Sequence, residues 1–221
     1  MADNTSRMIT LLGLMRKQMN GAVADAMHYY GERYGLNYGV SLPTLRQIAA
    51  KEERSHSLAQ YLYKQQVREL RLAALHIAEE QMMTLSEAES WEYGIINSEV
   101  AEEMAFALLH KAKESREIIA KWSASQNEWL VYSALMAAAR NAENISEELV
   151  ANTASIIGRF PSSRVIAQGV VALLTRAAQQ SDLHPASLTA AEEIKTLPTS
   201  SEGDFSAAEY ATEELEWRLA E

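Results

Sequence analysis

From about residue 42 onward the chain repeats one pattern: an apolar helical centre, a short polar turn, and another helix. ALHIA, ALLHKA, ALMAAAR and ALLTRA recur as the centres of successive longer segments. Only four prolines interrupt 221 residues, and no stretch sustains the period-two alternation of a half-buried strand. In VRELRLAALHIAEEQM, residues Val67, Leu70, Ala74 and Ile77 share one helical face, widened by Leu75, while Arg68, Arg71 and Glu79 are left for water. An all-α fold follows. Helices are expected at 42–52, 56–63, 66–82, 85–93, 98–112, 115–123, 126–141, 146–158, 162–178 and 187–195. The longer members begin roughly 30 residues apart, which suits a degenerate HEAT-like helical-repeat solenoid, an α-α superhelix with a concave wall for an extended partner.

Capping-box spacings mark several starts: Thr84 with Glu87, Ser125 with Glu128, Asn144 with Glu147, Thr189 with Glu192, and Ser206 with Glu209. The stretch PTSSEGD at 198–204 has linker composition and divides a repeat domain, 1–197, from a C-terminal acidic helix, 205–221. On that helix Phe205, Ala208, Thr212, Leu215 and Leu219 share a face, so it is expected to cap the last repeat. Trp91, Trp122, Trp129 and Trp217 read as core anchors at repeat junctions.

Composition narrows the chemistry. There is no cysteine, which removes disulfides, thiolate zinc sites and thiol nucleophiles and suits a reducing, cytoplasmic location. The apolar run Met8 to Met15 is too short for a membrane span, and with Asp3 ahead of it makes a poor signal peptide. Phosphate-loop, nucleophile-elbow and metal-helix motifs are lacking, and His28, His56, His76, His110 and His184 are dispersed, so neither metal nor cofactor is expected. Net charge is -10, but residues 1–75 hold ten Lys and Arg against six Asp and Glu, while the remainder holds ten against 24. Nucleic-acid binding would therefore need a clustered basic patch working against the global field.

One segment says more. In YGVSLPTLRQIA at 38–49, Gly39 permits backbone conformations closed to other residues, Ser41 can cap, and Pro43 suits a first helical turn. Gly39, Val40, Pro43 and Arg46 resemble the N-terminal signature of the DNA alkylation repair family of helical-repeat proteins, and the likeness extends through 96–111 and 121–140 to 163–177. The resemblance implies grip on duplex DNA by its backbone and excision of N3- and N7-alkylated purines, a carboxylate stabilising the developing oxocarbenium. It also implies where the machinery falls. The family's tryptophan-aspartate pair and later aspartate lie at Ser98, Glu99 and Glu102, its arginine at Tyr132, one tryptophan at Trp129 and a second near Ala172.

Excision is therefore expected to be impaired, because a glutamate displaces its charge by about 1 Å, an error that can reduce rate by roughly a hundredfold. If it survives, Glu102 is the candidate carboxylate and Glu99 the second. As first-turn residues, Glu99, Glu102 and Glu103 equally suit the dipole of a helix capped by Asn97 or Ser98. The available phosphate partners are Arg46, Lys64, Arg68, Arg71, Lys111, Lys113, Lys121, Arg140 and Arg164, with Trp129 and Tyr132 beside them. Tyr29, Tyr30, Tyr34 and Tyr38 suit either base stacking or a core belt. Two functions remain open: a DNA alkylation repair protein on duplex DNA, or a non-catalytic scaffold whose concave face binds a protein partner.

Overall fold

The computed structural model describes residues 3–31, 34–199 and 204–219. Two helices precede the regular pattern, α1 (Asn4–Arg16) and α2 (Gly21–Tyr29). Apolar periodicity announces neither, since α1 buries only Leu11 and Met15 and α2 buries nothing. Their starts are set instead by Asp3 and Asn20, whose side chains accept from Ser6 N and Val23 N.

The remaining helices are α3 (Leu42–Ala49), α4 (His56–Tyr63), α5 (Arg68–Ile77), α6 (Leu85–Glu92), α7 (Ser98–Glu103), α8 (Ser115–Ser123), α9 (Glu128–Arg140), α10 (Glu147–Ala151), α11 (Thr153–Arg159), α12 (Arg164–Ala178), α13 (His184–Lys195) and α14 (Ala207–Arg218). They stack in two rows. Helices α3, α5, α7, α9, α12 and α14 lie side by side in one, and α4, α6, α8, α10 with α11, and α13 form the other. The core lies between the rows and is continuous from Leu11 to Leu215. Trp91 and Trp122 are fully buried, and the Tyr63 hydroxyl donates to the Trp91 carbonyl at 3.0 Å, tying α4 to α6. Trp129 is half-buried, but Trp217 is exposed, so the expectation of four tryptophan anchors is wrong at that position.

Four expected helices differ from those the structure shows. The helix expected over 66–82 stops at Ile77, and Ala78 is extended with ψ 146°, because Ile77 O accepts Ser55 N and the Glu79 carboxylate accepts His56 N. Beyond α7 the chain opens into a wide π turn, Met104–Leu108, and a 3-10 turn, Leu109–Lys111, with His110 Nδ1 3.0 Å from Ala105 O. The helix expected over 146–158 breaks at Asn152, between α10 and α11. Finally, α13 starts three residues early, at His184 with Pro185 in its first turn.

At two of the five spacings the expected N-cap forms, Thr84 Oγ1 accepting Glu87 N and Ser206 Oγ accepting Glu209 N. Asn127 rather than Ser125 caps α9, and Ser146 rather than Asn144 caps α10. Asn144 is buried instead, accepting from Ser115 Oγ at 2.6 Å and donating to His110 O at 3.1 Å. Thr189 lies inside α13 and donates to Pro185 O.

The C-terminal helix α14 lies against α12 and α13 with Ala208 and Leu215 buried and Phe205, Thr212 and Leu219 half-buried. Of the stretch with linker composition, residues 200–203 lie outside the described residues.

Candidate nucleic-acid interface

The YGVSLPTLRQIA segment is held by its own polar groups. Gly39 has φ +68°, and a side chain there would place its Cβ 2.1 Å from Asn20 O, so only glycine fits. Ser41 accepts Thr44 N and Pro43 sits in the first turn of α3. Leu36 bridges Val67 through Leu36 N to Gln66 O and Arg68 N to Leu36 O, both 2.8 Å. Glu69, fully buried, then accepts Tyr38 N and Val40 N at 3.2 Å and Arg68 Nη1 at 3.0 Å.

Arg68 carries this clasp into the next repeat. It donates to Val40 O at 2.8 Å and forms a two-pronged pair with Glu99, Nε reaching Oε2 at 2.7 Å and Nη2 reaching Oε1. Tyr34 adds a bond from its hydroxyl to Glu99 Oε2 at 2.6 Å. Burial, then the Glu99 charge, push the Tyr34 phenol well above its ordinary range. Burial disfavours the Arg68 charge, yet its bonds to Glu99 and the charges of Glu99 and Glu69 outweigh this and hold it firmly protonated. With 3% exposure, Arg68 is committed to these carboxylates and is not a surface phosphate partner. Arg71 is also buried, its guanidinium 5.8 Å from the Tyr63 ring centre.

Glu102, one turn beyond Glu99, meets a different donor. The Tyr132 hydroxyl of α9 donates to Glu102 Oε1 at 2.6 Å, so the two residues that the resemblance sets at the family's aspartate and arginine positions are bonded to each other. Burial, followed by the Glu102 bond and charge, raises the Tyr132 phenol and keeps it a proton donor. Each acidic residue of α7 thus has its own partner.

Glu103 faces a cleft of about 470 Å³ lined by Arg46, His76, Glu103, Phe106, Ala107 and Arg140. It is 2% exposed, paired with Arg46 and bonded to His76 Nε2 at 2.6 Å. Burial alone would raise its carboxyl, but the His76 and Arg46 bonds together hold it below the usual carboxylate value. Arg140 lies over the Phe106 ring, 5.8 Å from its centre. Phe106 belongs to the wide π turn after α7, so the irregular backbone sets the wall of the cleft. Sequence reasoning singled out Arg46 and Arg140 but missed His76 and Phe106 as their companions. Nothing local marks them, because Glu103 is 27 residues from His76 and 57 from Arg46.

The other expected contacts lie elsewhere. Trp129 starts α9, half-buried, in the same row as the cleft. Lys64 and Lys121 sit at the ends of α4 and α8 in the opposite row, Lys121 paired with Glu89 at 2.6 Å. Arg164 opens α12 with its guanidinium 4.3 Å from the Phe205 ring centre, engaged by the C-terminal segment. The structure therefore brings Arg46, Arg140, His76 and the Glu102–Tyr132 pair to one row and leaves Lys64 and Lys121 apart from them.

Two rows of stacked antiparallel helices with a polar strip along one row define a HEAT-like helical-repeat protein. The family model described as DNA alkylation repair enzyme matches residues 12–164, and the chain belongs to that family. A solved structure from a family described as related to the HEAT-like repeat DNA glycosylases, with affinity for branched DNA structures, aligns with TM-score 0.72 and 18% identity over 95% of this chain and 94% of that one. It shares the fold. No curated protein is significantly similar in sequence. Among the described residues, no helix is long and apolar enough to cross a membrane.

Proposed function

We propose that this protein binds DNA, branched forms included, by its phosphate backbone along the row of α3, α5, α7 and α9, without efficient base excision. The observation that carries the reading is the Tyr132–Glu102 bond of 2.6 Å. An excising carboxylate must offer its charge to the sugar cation, whereas this one already shares it with a phenol. The arginine that would hold the backbone beside it is the tyrosine itself. Arg46 and Arg140 supply replacement cations on the same row, and the cleft between them carries two guanidiniums and an imidazole against one carboxylate. A phosphate can enter there and share Arg46 with Glu103. The related family's affinity for branched DNA supports the choice of ligand.

The test is a titration of duplex and three-way-junction DNA at rising salt, with release of N3-methyladenine and N7-methylguanine from an alkylated duplex measured in parallel. The expected result is binding that weakens steeply with salt, since each phosphate contact contributes about -0.9 to the logarithmic slope, with base release at the level of heat-treated protein. Efficient release would overturn the non-excising part. Absence of binding at low salt would overturn the whole reading and favour a scaffold for a protein partner.

A further inference from the structure

We infer that Tyr29 and Tyr30 form a stacking platform for unpaired nucleobases, which would make this protein prefer DNA at points where strands part. The inference rests on the DNA-binding reading above and specifies which feature of the DNA is recognised. The two rings are 82% and 81% exposed and stand edge to face, with centres 5.3 Å apart and planes at 85°. They end a helix that buries none of its residues, so neither ring contributes to the core. The other two tyrosines of the cluster behave differently. Tyr34 is half-buried and bonded to Glu99, and Tyr38 is half-buried beneath the Arg16 guanidinium.

Position identifies the occupant. His28, beside Tyr29, is exposed as well, and Asp25 is the one acidic residue of α2. A pair of exposed rings fits a strand whose bases are free to stack, because every base offers a π face and aromatic platforms are sequence-tolerant. Tyr30 is four residues from Tyr34, a span of at most about 14 Å of chain. Tyr34 in turn touches Glu99, next to Ser98, at the start of α7. The platform thus stands at the edge of the row proposed to follow the backbone. DNA held along that row and frayed at its end would bring an unpaired base to the rings.

The experiment compares wild-type protein, Y29A/Y30A and Y29F/Y30F on a perfect duplex and on a fork of equal duplex length carrying 2-aminopurine at the first unpaired position. Both rings are exposed, so the variants should fold, and far-ultraviolet circular dichroism checks that they do. The wild type should bind the fork about tenfold more tightly than the duplex, the worth of one stacked base, and quench its 2-aminopurine. Y29A/Y30A should bind both DNAs as the wild type binds duplex, without quenching, and Y29F/Y30F should retain the preference. If the wild type binds duplex and fork equally, or the alanine variant keeps preference and quenching, the platform is refuted while duplex binding stands. If the wild type binds neither, the DNA-binding reading fails with it. Concentration-dependent self-association abolished by Y29A/Y30A, with fork preference unchanged, would reassign the rings to a contact between copies.

Discussion

Tyr132 donates its hydroxyl proton to Glu102 Oε1 at 2.6 Å across 30 residues of sequence, joining α9 to α7. The residues that the resemblance sets at the family's aspartate and arginine positions are each other's partner. The bond also uses part of the hydrogen-bonding capacity of the Glu102 carboxylate.

Tyr132→Phe should therefore lower stability by about 1.5–3 kcal/mol, the worth of a hydrogen bond to a charged group, which for a domain of this size shifts Tm by several degrees. DNA affinity should be unchanged. Thermal unfolding beside a duplex titration checks both, and a large loss of binding with unchanged Tm would place Tyr132 in the interface itself.

Glu103 makes a pH-dependent contribution. Its folded carboxyl is held below the ordinary 4.5, so its stabilisation is fully present above that value and lost as pH falls through the lower folded value. Glu103→Gln should destabilise by about 1–3 kcal/mol at pH 7, and the gap to wild type should close as pH drops below 4.5. Urea unfolding at a series of pH values measures it. A gap that stays constant into the acid range would show that packing, not charge, sets the difference.

Arg46→Gln and Arg140→Gln should each weaken binding to every DNA sequence alike and reduce the salt slope by about 1. Lys64→Gln and Lys121→Gln, in the opposite row, should leave the slope unchanged. Equal effects from all four would point to a diffuse electrostatic attraction rather than a defined row.

Arg68→Met should be the most disruptive of these substitutions, about 3–5 kcal/mol, because it leaves the buried Glu69 and the half-buried Glu99 without their shared cation. Loss of cooperative urea unfolding, or a midpoint shift of that size, checks it. A nearly neutral effect would mean that water or Tyr34 suffices to satisfy Glu99.

The sequence alone determined the all-α class, the stacking period and the irregular start at Gly39, because these follow from side-chain periodicity and from backbone conformations only glycine adopts. It also identified the cations of the cleft, Arg46 and Arg140, though not that they meet. Tertiary structure decided where helices stop, since Ile77 and Glu79 spend their hydrogen-bonding groups on Ser55 and His56. It decided as well that Arg68 is buried in a carboxylate clasp and that Glu102 belongs to Tyr132. The physical reason is the stack itself. Contacts such as Arg68 to Glu99 and Tyr132 to Glu102 join residues 31 and 30 apart, one repeat along the chain, so each partner is chosen by the neighbouring layer. Local propensity sees only one turn of helix; the roles of these side chains are set when two layers close on each other.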